Sequence, residues 1–379
     1  MSTGAAVCAP NAFKGTLPAT AAAAAMAEGV RDAAVVGVEP VEVAVADGGD
    51  GTLDVLLAAS PGSRAETLRV SGPLGAPVLA RLGWLDARTA VVEMAEAAGL
   101  RLLHREKPDA LHATTYGVGE MIRTALDGGA RRLVVGVGGS ATTDGGAGLI
   151  SALGGRLLDA NGAELAHGGA PLAQLARLDL SGLDARLRDC RIEVAVDVRN
   201  PLIGPMGSAA VFGPQKGGSP ADVALLEAAL THFAQVTCMA VGVDLARVHE
   251  RGMGAAGGCA FGLAVVCGAV LVPGAAMVCD LVGLDAALKG AALVLTGEGR
   301  LDSSTAGGKA PAEVARRAAA AGVPCVVLAG SVEQPPSPDY AETIAIGEGL
   351  SIEESRAHTA ELLRAATAEV IRRRLGPGA

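Results

Sequence analysis

Aromatic residues are nearly missing from this sequence: 379 residues contain one Trp, two Tyr and four Phe. Its cores must therefore be packed from Ala, Val and Leu. Charge is also sparse. Only 19% of residues are Asp, Glu, Lys or Arg and 50% are hydrophobic, which argues against a disordered chain. A basic stripe is lacking, and the formal net charge is −9. That balance disfavours a general nucleic-acid binder, which must neutralise phosphates. A small anionic substrate stays open, because a local pocket can be positive on an acidic protein. The one basic run, Arg372-Arg373-Arg374, falls near the end of a predicted helix, where cations suit the carbonyl terminus.

The seven cysteines (Cys8, Cys190, Cys238, Cys259, Cys267, Cys279 and Cys325) form no CxxC pair and no zinc spacing. Most lie in apolar stretches, as small hydrophobes do. A reducing cytoplasm is the expected compartment. The opening MSTGAAVCAP has neither a basic n-region nor a long apolar h-region, so no signal peptide is expected. No charge falls between Arg251 and Asp280, a length that could span a bilayer. Glycines and Pro273-Gly274 interrupt it, so a buried helix over about 258–268, then a turn and a strand, is expected instead of a membrane span. Two common catalytic motifs are missing too. There is no G-x-S-x-G elbow, and Gly308-Lys309-Ala310 lacks the hydroxyl and the upstream glycine of a Walker A loop. His104, His112, His167, His232, His249 and His358 show no ligand or triad spacing.

Glycine, in contrast, is abundant: 53 residues, about twice the usual share of roughly 7%. The glycines cluster in loops that follow apolar runs. Strands are expected at 7–9, 41–45, 133–137, 192–196, 293–296, 325–328 and 343–346, with helices between most of them. Thr16 and Pro18 mark one helix start, and Thr52 is a candidate cap for another. Three short runs over 65–94 read as an antiparallel meander, and 222–240 as an amphipathic helix. A closing helix over about 352–375 could pack on the first domain or on a partner subunit, so a homo-oligomer stays open. Uniformly apolar strands separated by helices imply a doubly wound parallel sheet, with strands near residues 7, 43, 135, 294 and 326. The antiparallel material would form a second, inserted α/β domain. The expected division is 1–62, 108–153 and 286–379 for the first domain, and 63–107 with 154–285 for the second.

In open parallel sheets, ligands sit beyond the carboxyl ends of the strands. Here those ends carry glycine with an acid or a lysine: Lys14; Asp47 and Asp50; Asp144; Asp197; Glu298 and Asp302. Glycine lets backbone N–H groups approach an anion, carboxylates hold Mg²⁺ or accept a hydroxyl proton, and lysines neutralise phosphates. Together these are the parts of a phosphoryl-transfer site. Two other readings compete. The run from Gly136 to Ala141 fits G-x-G-x-x-A after a strand, as in an NAD(P)-dependent oxidoreductase acting on a small hydroxy acid, but no clear strand then carries the ribose-gripping acid. A nucleotide-binding protein without catalysis is the other.

The segments APNAFKGT (9–16), VADGGDGT (45–52), VEMAEAAGL (92–100) and TTYGVGEMI (114–122) resemble the type 1 glycerate kinase family. So do VGVGGSATTDGGAG (135–148), VDVRNPLIGPMGSAAVFGPQKG (196–217), GAAGG (254–258) and LTGEGRLDSSTAGGKAP (295–311). Four positions depart from the family pattern: Asn11 for Asp, Asp50 for Glu, Val196 for Cys and Ser304 for Gln. The resemblance implies a flavodoxin-like α/β domain interrupted by a second α/β domain, with the site in the cleft between them. It implies ATP- and Mg²⁺-dependent phosphorylation of D-glycerate to 2-phosphoglycerate. On that basis Asp197 is the first candidate for the base, Asp47 the second, and Lys14 a catalytic cation. Arg300, Lys216, Lys309 and Asn200 are candidates for substrate or phosphate contacts, with Gly138, Gly139, Ser140 and Thr142 cradling phosphate. Asp144, Glu298 and Asp302 are the candidate Mg²⁺ ligands.

Overall fold

Short apolar strands with both faces covered build the first of two units in the computed structural model, which describes residues 4–103, 107–302, 309–333 and 339–377. His104, Ser304, Gly308 and the last five residues of the proline-rich segment 332–338 lie outside the described residues. Unit 1 comprises Met1–Asp47, Asp54–Pro61 and Pro273–Ala379; unit 2 comprises Gly48–Leu53 and Gly62–Val272.

Unit 1 holds the strands Gly4–Cys8, Val38–Glu42, Ala291–Leu301, Cys325–Val332 and Glu342–Ala345, all paired in parallel. Numbered within the unit, their spatial order is 5-4-3-1-2. This is the flavodoxin-like order 2-1-3-4-5, whose switch point lies between strands 1 and 3. Leu293 and Leu295 point to a face covered by Met26 and Val30 of the helix Ala19–Ala33 and by Leu363 and Ile371 of Thr359–Leu375. Val294 points the other way, toward Ala275, Cys279, Val314 and Ala318. The closing helix thus packs within its own unit. On the second face, buried Arg317 ties the helix Ala310–Ala320 to its neighbours through Asp280 (2.7 Å), Asp285 (3.0 Å) and the Ala276 carbonyl (2.9 Å).

Besides a two-stranded antiparallel sheet of Arg156–Leu158 and Arg177–Asp179, unit 2 holds a six-stranded mixed sheet. Val270–Val272, Arg191–Ala195, Arg132–Gly136 and Thr89–Glu93 run in parallel, and Pro77–Trp84 and Arg64–Ser71 complete it antiparallel. The expected meander is therefore present. The uncharged stretch after Arg251 folds as a buried helix, Cys259–Val266, followed by the strand Val270–Val272. Among the described residues one helix, Pro220–Val241, is long and apolar enough to cross a membrane; it buries Leu226, Leu230, Phe233 and Ala234 in the unit 2 core.

One expectation is corrected. The strand at 132–136 does not join the flavodoxin-like sheet; it pairs with Thr89–Glu93 and Arg191–Ala195, which puts 108–153 in unit 2. Glu342–Ala345 completes the first sheet instead. Apolar runs mark a buried parallel strand but do not name its neighbours.

Helix contacts in unit 1 suggest a direct test. A Cβ on Gly29 would lie 2.4 Å from the Arg364 carbonyl and 2.7 Å from Thr367 Cβ. Gly29→Ala gains about 1 kcal/mol in helix propensity but must push two helices apart, at a cost of about 1–3 kcal/mol. Net destabilisation in urea unfolding is expected; a stabilised variant would contradict this packing.

Candidate active site

In unit 1 the candidate side chains lie at or beyond the carboxyl ends of strands 1, 2 and 3. The loop after Gly4–Cys8 is laced to the third strand: Ala9 N donates to the Leu295 carbonyl (2.7 Å) and Asn11 N to Gly297 (2.8 Å). Thr296 Oγ1 donates to the Ala9 carbonyl (2.7 Å). Asn11, the family's usual Asp, is buried, and its Oδ1 accepts from Ala12 N (2.7 Å). That bond needs only an acceptor, so the substitution keeps the turn. Lys14 emerges exposed, with its backbone N 3.4 Å from where a Gly299 side chain would begin. Lysine 14 and the 298–302 stretch are thus local neighbours at the switch point. There Asp302 pairs with Arg300 (3.7 Å) and Lys309 (3.9 Å), and Arg300 also pairs with Glu333. Glu298 is buried near the end of the third strand, and Asp47 is half-buried where the chain leaves unit 1.

In unit 2, Glu93, Gly136 and Ala195 stand side by side at the ends of three parallel strands. Loops with the remaining candidates leave from this row. Asp197 lies half-buried two residues beyond Ala195. Asn200 follows, its amide donating to the Met206 carbonyl (2.8 Å) and its own carbonyl accepting from Gly254 N (3.0 Å). Gly138 and Gly139 are partly exposed, and Ser140, Thr142 and Asp144 are buried.

Asp144 has the surroundings of a structural acid. One carboxylate oxygen accepts from Thr115 N (2.8 Å), Thr115 Oγ1 (2.9 Å) and Gly148 N (3.2 Å); the other accepts from Gly146 N (3.1 Å). It ties the start of the helix Ala147–Ala152 to the segment entering the helix Tyr116–Asp127. Fully buried and satisfied by N–H and O–H donors, it is poorly placed as the Mg²⁺ ligand expected from the sequence.

Lys216, a candidate phosphate contact, is also buried. It is 1% exposed, and its Nζ donates to the Thr142 carbonyl (2.5 Å). Burial pulls its pKa down to about 7, against the opposing pull of the Asp144 charge. Lys216 therefore braces the glycine loop from within the core. The GAAGG motif supports the same loop: Ala256, Gly257 and Gly258 all have positive φ, and a Cβ on Gly257 would sit 1.9 Å from the Thr142 carbonyl. Only glycine permits that approach. Among the described residues the buried hydroxyls of Thr142, Thr143 and Ser208 have no hydrogen-bond partner.

Glu93 is a buried acid at the end of the strand Thr89–Glu93. Its carboxylate accepts from Gly51 N (3.1 Å) and Leu53 N (2.9 Å), capping the helix Thr52–Ala59. The expected cap, Thr52, instead donates its hydroxyl to the Gly49 carbonyl (2.7 Å). The available signal was an acid ending an otherwise apolar strand. Among the described residues no group of three or more His, Cys, Asp and Glu is arranged to hold a metal. The described histidines are dispersed: His112 pairs with Asp109 (2.9 Å), His232 bonds the Leu175 carbonyl (2.6 Å) and His167 stacks near Tyr116.

Carboxyl-end loops bearing acids, lysines and close-packed glycines, on two α/β sheets, define a phosphotransferase-type architecture. Comparison with known proteins narrows the class: the chain belongs to the Glycerate kinase family, which it matches over residues 6–375. It is 44% identical to a glycerate kinase of Bacillus subtilis (strain 168), over 94% of both chains. It is also 44% identical to a glycerate 2-kinase of Escherichia coli (strain K12), over 86% of this chain and 85% of that one. A crystal structure of a putative glycerate kinase 2 from Salmonella typhimurium LT2 superposes with a TM-score of 0.85 at 40% identity, covering 97% of each chain. Nothing in these relatives supports the oxidoreductase reading.

Lys216→Met tests the brace. The unfolded chain binds the lysine proton up to about pH 10.5, while the folded chain releases it near 7. Where the unfolded state holds more protons, stability rises with pH. The wild type should therefore gain stability relative to Lys216→Met as pH rises above about 7. A difference constant between pH 6 and 9.5 in urea unfolding would show that the lysine is not desolvated.

Proposed function

We propose that this protein transfers the γ-phosphoryl group of ATP to D-glycerate, giving 2-phosphoglycerate and ADP, in a reducing cytoplasm. Family membership supports the reaction class. The structural observation that carries the reading is that the candidate acids and exposed candidate cations lie in the last residues of strands or in the loops beyond their carboxyl ends. Seven buried, unpaired thiols fit the compartment.

Asp197 is assigned as the general base. It takes the proton of the attacking glycerate hydroxyl as that oxygen bonds to phosphorus, and the bond from phosphorus to the ADP oxygen breaks. Asp47 is the alternative base. Lys14 and Lys309 neutralise anionic groups at the switch point of unit 1, with Arg300 beside them. In unit 2 the Gly139 backbone, with the hydroxyls of Ser140 and Thr142, offers donors to phosphate oxygens, while the Gly138 N–H is already taken by the Gly48 carbonyl and shapes the loop. Asn200 positions its loop through the Met206 carbonyl.

Mg²⁺ keeps several waters and binds through one or two carboxylates together with nucleotide phosphates. Glu298 and Asp302 fit that modest demand, although no larger acid cluster exists among the described residues. They would hold the ion, whose charge offsets that of the phosphates; Asp144 is left out because backbone and threonine donors occupy it.

Coupled ADP release with D-glycerate, followed by phosphorus NMR of the product, tests the activity and the position phosphorylated. Glycerate-dependent ADP and a 2-phosphate signal are expected. A nicotinamide absorbance change with a hydroxy acid, or ATP binding without turnover, would sink the proposal. Asp197→Asn should lower kcat by about 10²–10⁴. A value within tenfold of wild type would move the base role to Asp47. Lys14→Ala should impair turnover or anion binding while leaving the unfolding midpoint in place; normal kinetics would return Lys14 to the ordinary surface.

A further inference from the structure

Glu93 lies outside every role assigned above to substrate or nucleotide, yet it is a 2%-exposed carboxylate among loops. The segment it holds has an unusual place in the chain. Residues Met1–Asp47 belong to unit 1, Gly48–Leu53 to unit 2, and Asp54–Pro61 to unit 1 again. Six residues thus leave one unit, join the other and return.

Two kinds of contact hold them in unit 2. The first is close backbone approach over the strand ends. Gly138 N donates to the Gly48 carbonyl (3.1 Å). A Cβ on Gly48 would lie 2.6 Å from Ala195 Cβ, and one on Gly138 only 2.3 Å from Gly49 Cα. The second is Glu93, whose two oxygens each take one amide of the segment, Gly51 and Leu53. Asp50 rides between these two kinds of contact. A Cβ on Gly139 would be 2.8 Å from its carboxylate, and Arg101 Nε lies 3.8 Å from Asp50 Oδ1.

We propose that Glu93 is a positioning residue for phosphoryl transfer: its buried carboxylate pins the 48–53 segment across the strand ends of unit 2 and so fixes Asp50 against Gly139 of the glycine loop. The inference rests on the kinase reading for its catalytic consequence, but not for the anchoring itself. Misplacing a reacting group by about 1 Å can cost on the order of 10² in rate, so an anchor remote from the chemistry matters.

The anchor also responds to pH. Burial pushes the Glu93 carboxyl up to about 7, against the two amide donors that favour its charged form. The acids facing it, Asp50 and Glu96, raise it further. Arg101 stands on both acids, 2.8 Å from Glu96, and Arg81 stands on Glu96 at 2.7 Å. Below about pH 7 the protonated group offers one fewer acceptor to Gly51 and Leu53.

Amide exchange and kinetics on the full chain test this. In Glu93→Gln one amide of the segment faces an NH₂ group, and in Glu93→Asp the shorter arm cannot reach both. In both variants the protection of Gly51 and Leu53 should fall by about tenfold or more, while amides of Arg132–Gly136 and Arg191–Ala195 keep theirs. With D-glycerate and ATP, kcat should fall by about tenfold or more with a smaller change in KM, and any limb of the kcat profile near pH 7 should vanish in Glu93→Gln. Wild-type protection at Gly51 and Leu53, corrected for intrinsic exchange, should be lower at pH 6 than at pH 8. Unchanged protection overturns the anchor. Protection lost across the whole sheet makes Glu93 merely structural. Local loss with normal kcat overturns its part in transfer. If the wild type releases no ADP with glycerate, the kinase reading fails, and exchange alone still decides whether Glu93 anchors the segment. If Glu93→Gln does not fold, Glu93→Asp and the wild-type pH comparison carry the decision.

Discussion

Buried carboxylates take the N–H groups of glycine loops, and the candidate site of unit 2 depends on that exchange. A glycine loop has no side chains with which to fix itself, and its backbone loses much freedom on folding. Asp144 collects two amides, the Thr115 hydroxyl and the Thr115 amide; Glu93 collects two amides. Each would be costly alone in a core. Hydrogen bonds from the loop amides return part of that cost, although for Glu93 burial still outweighs them and pushes the carboxyl up to about 7. The result is a glycine loop whose backbone is fixed by side chains from outside it.

Unit 1 solves the same problem by topology. Its parallel sheet in the order 2-1-3-4-5 opens at strands 1 and 3, and the loops there are laced by backbone bonds between 9–11 and 295–297. Around that opening the charges are paired at the surface. Arg300, Asp302, Lys309 and Glu333 form an exposed or half-exposed network. Exposed pairs of this kind contribute little to stability. Being at the surface, these side chains can exchange partners without disturbing the core.

Much of this was legible in the residues. Apolar runs with glycine, acid or lysine at their ends located the strands and their functional edges, and the uncharged stretch after Arg251 read correctly as a core helix and strand. Three roles were not legible. Lys216 was a candidate phosphate contact through the family resemblance, and only packing shows it buried on Thr142. Asp144 looked like a metal ligand because its amide donors come partly from Thr115, far away in the chain. Glu93 was passed over because its partners, Gly51 and Leu53, lie some forty residues upstream.

From the order of residues alone followed the α/β class, the family likeness and the set of side chains able to do phosphoryl chemistry, since each depends on local pattern: periodicity, turn-forming glycine and short motifs. Tertiary structure alone decided which sheet the strand Arg132–Gly136 joins, which acids are spent on backbone donors and which lysine is buried. Those outcomes depend on neighbours distant in sequence. Desolvation and hydrogen-bond satisfaction are properties of the packed surroundings, and a side chain's identity does not carry them.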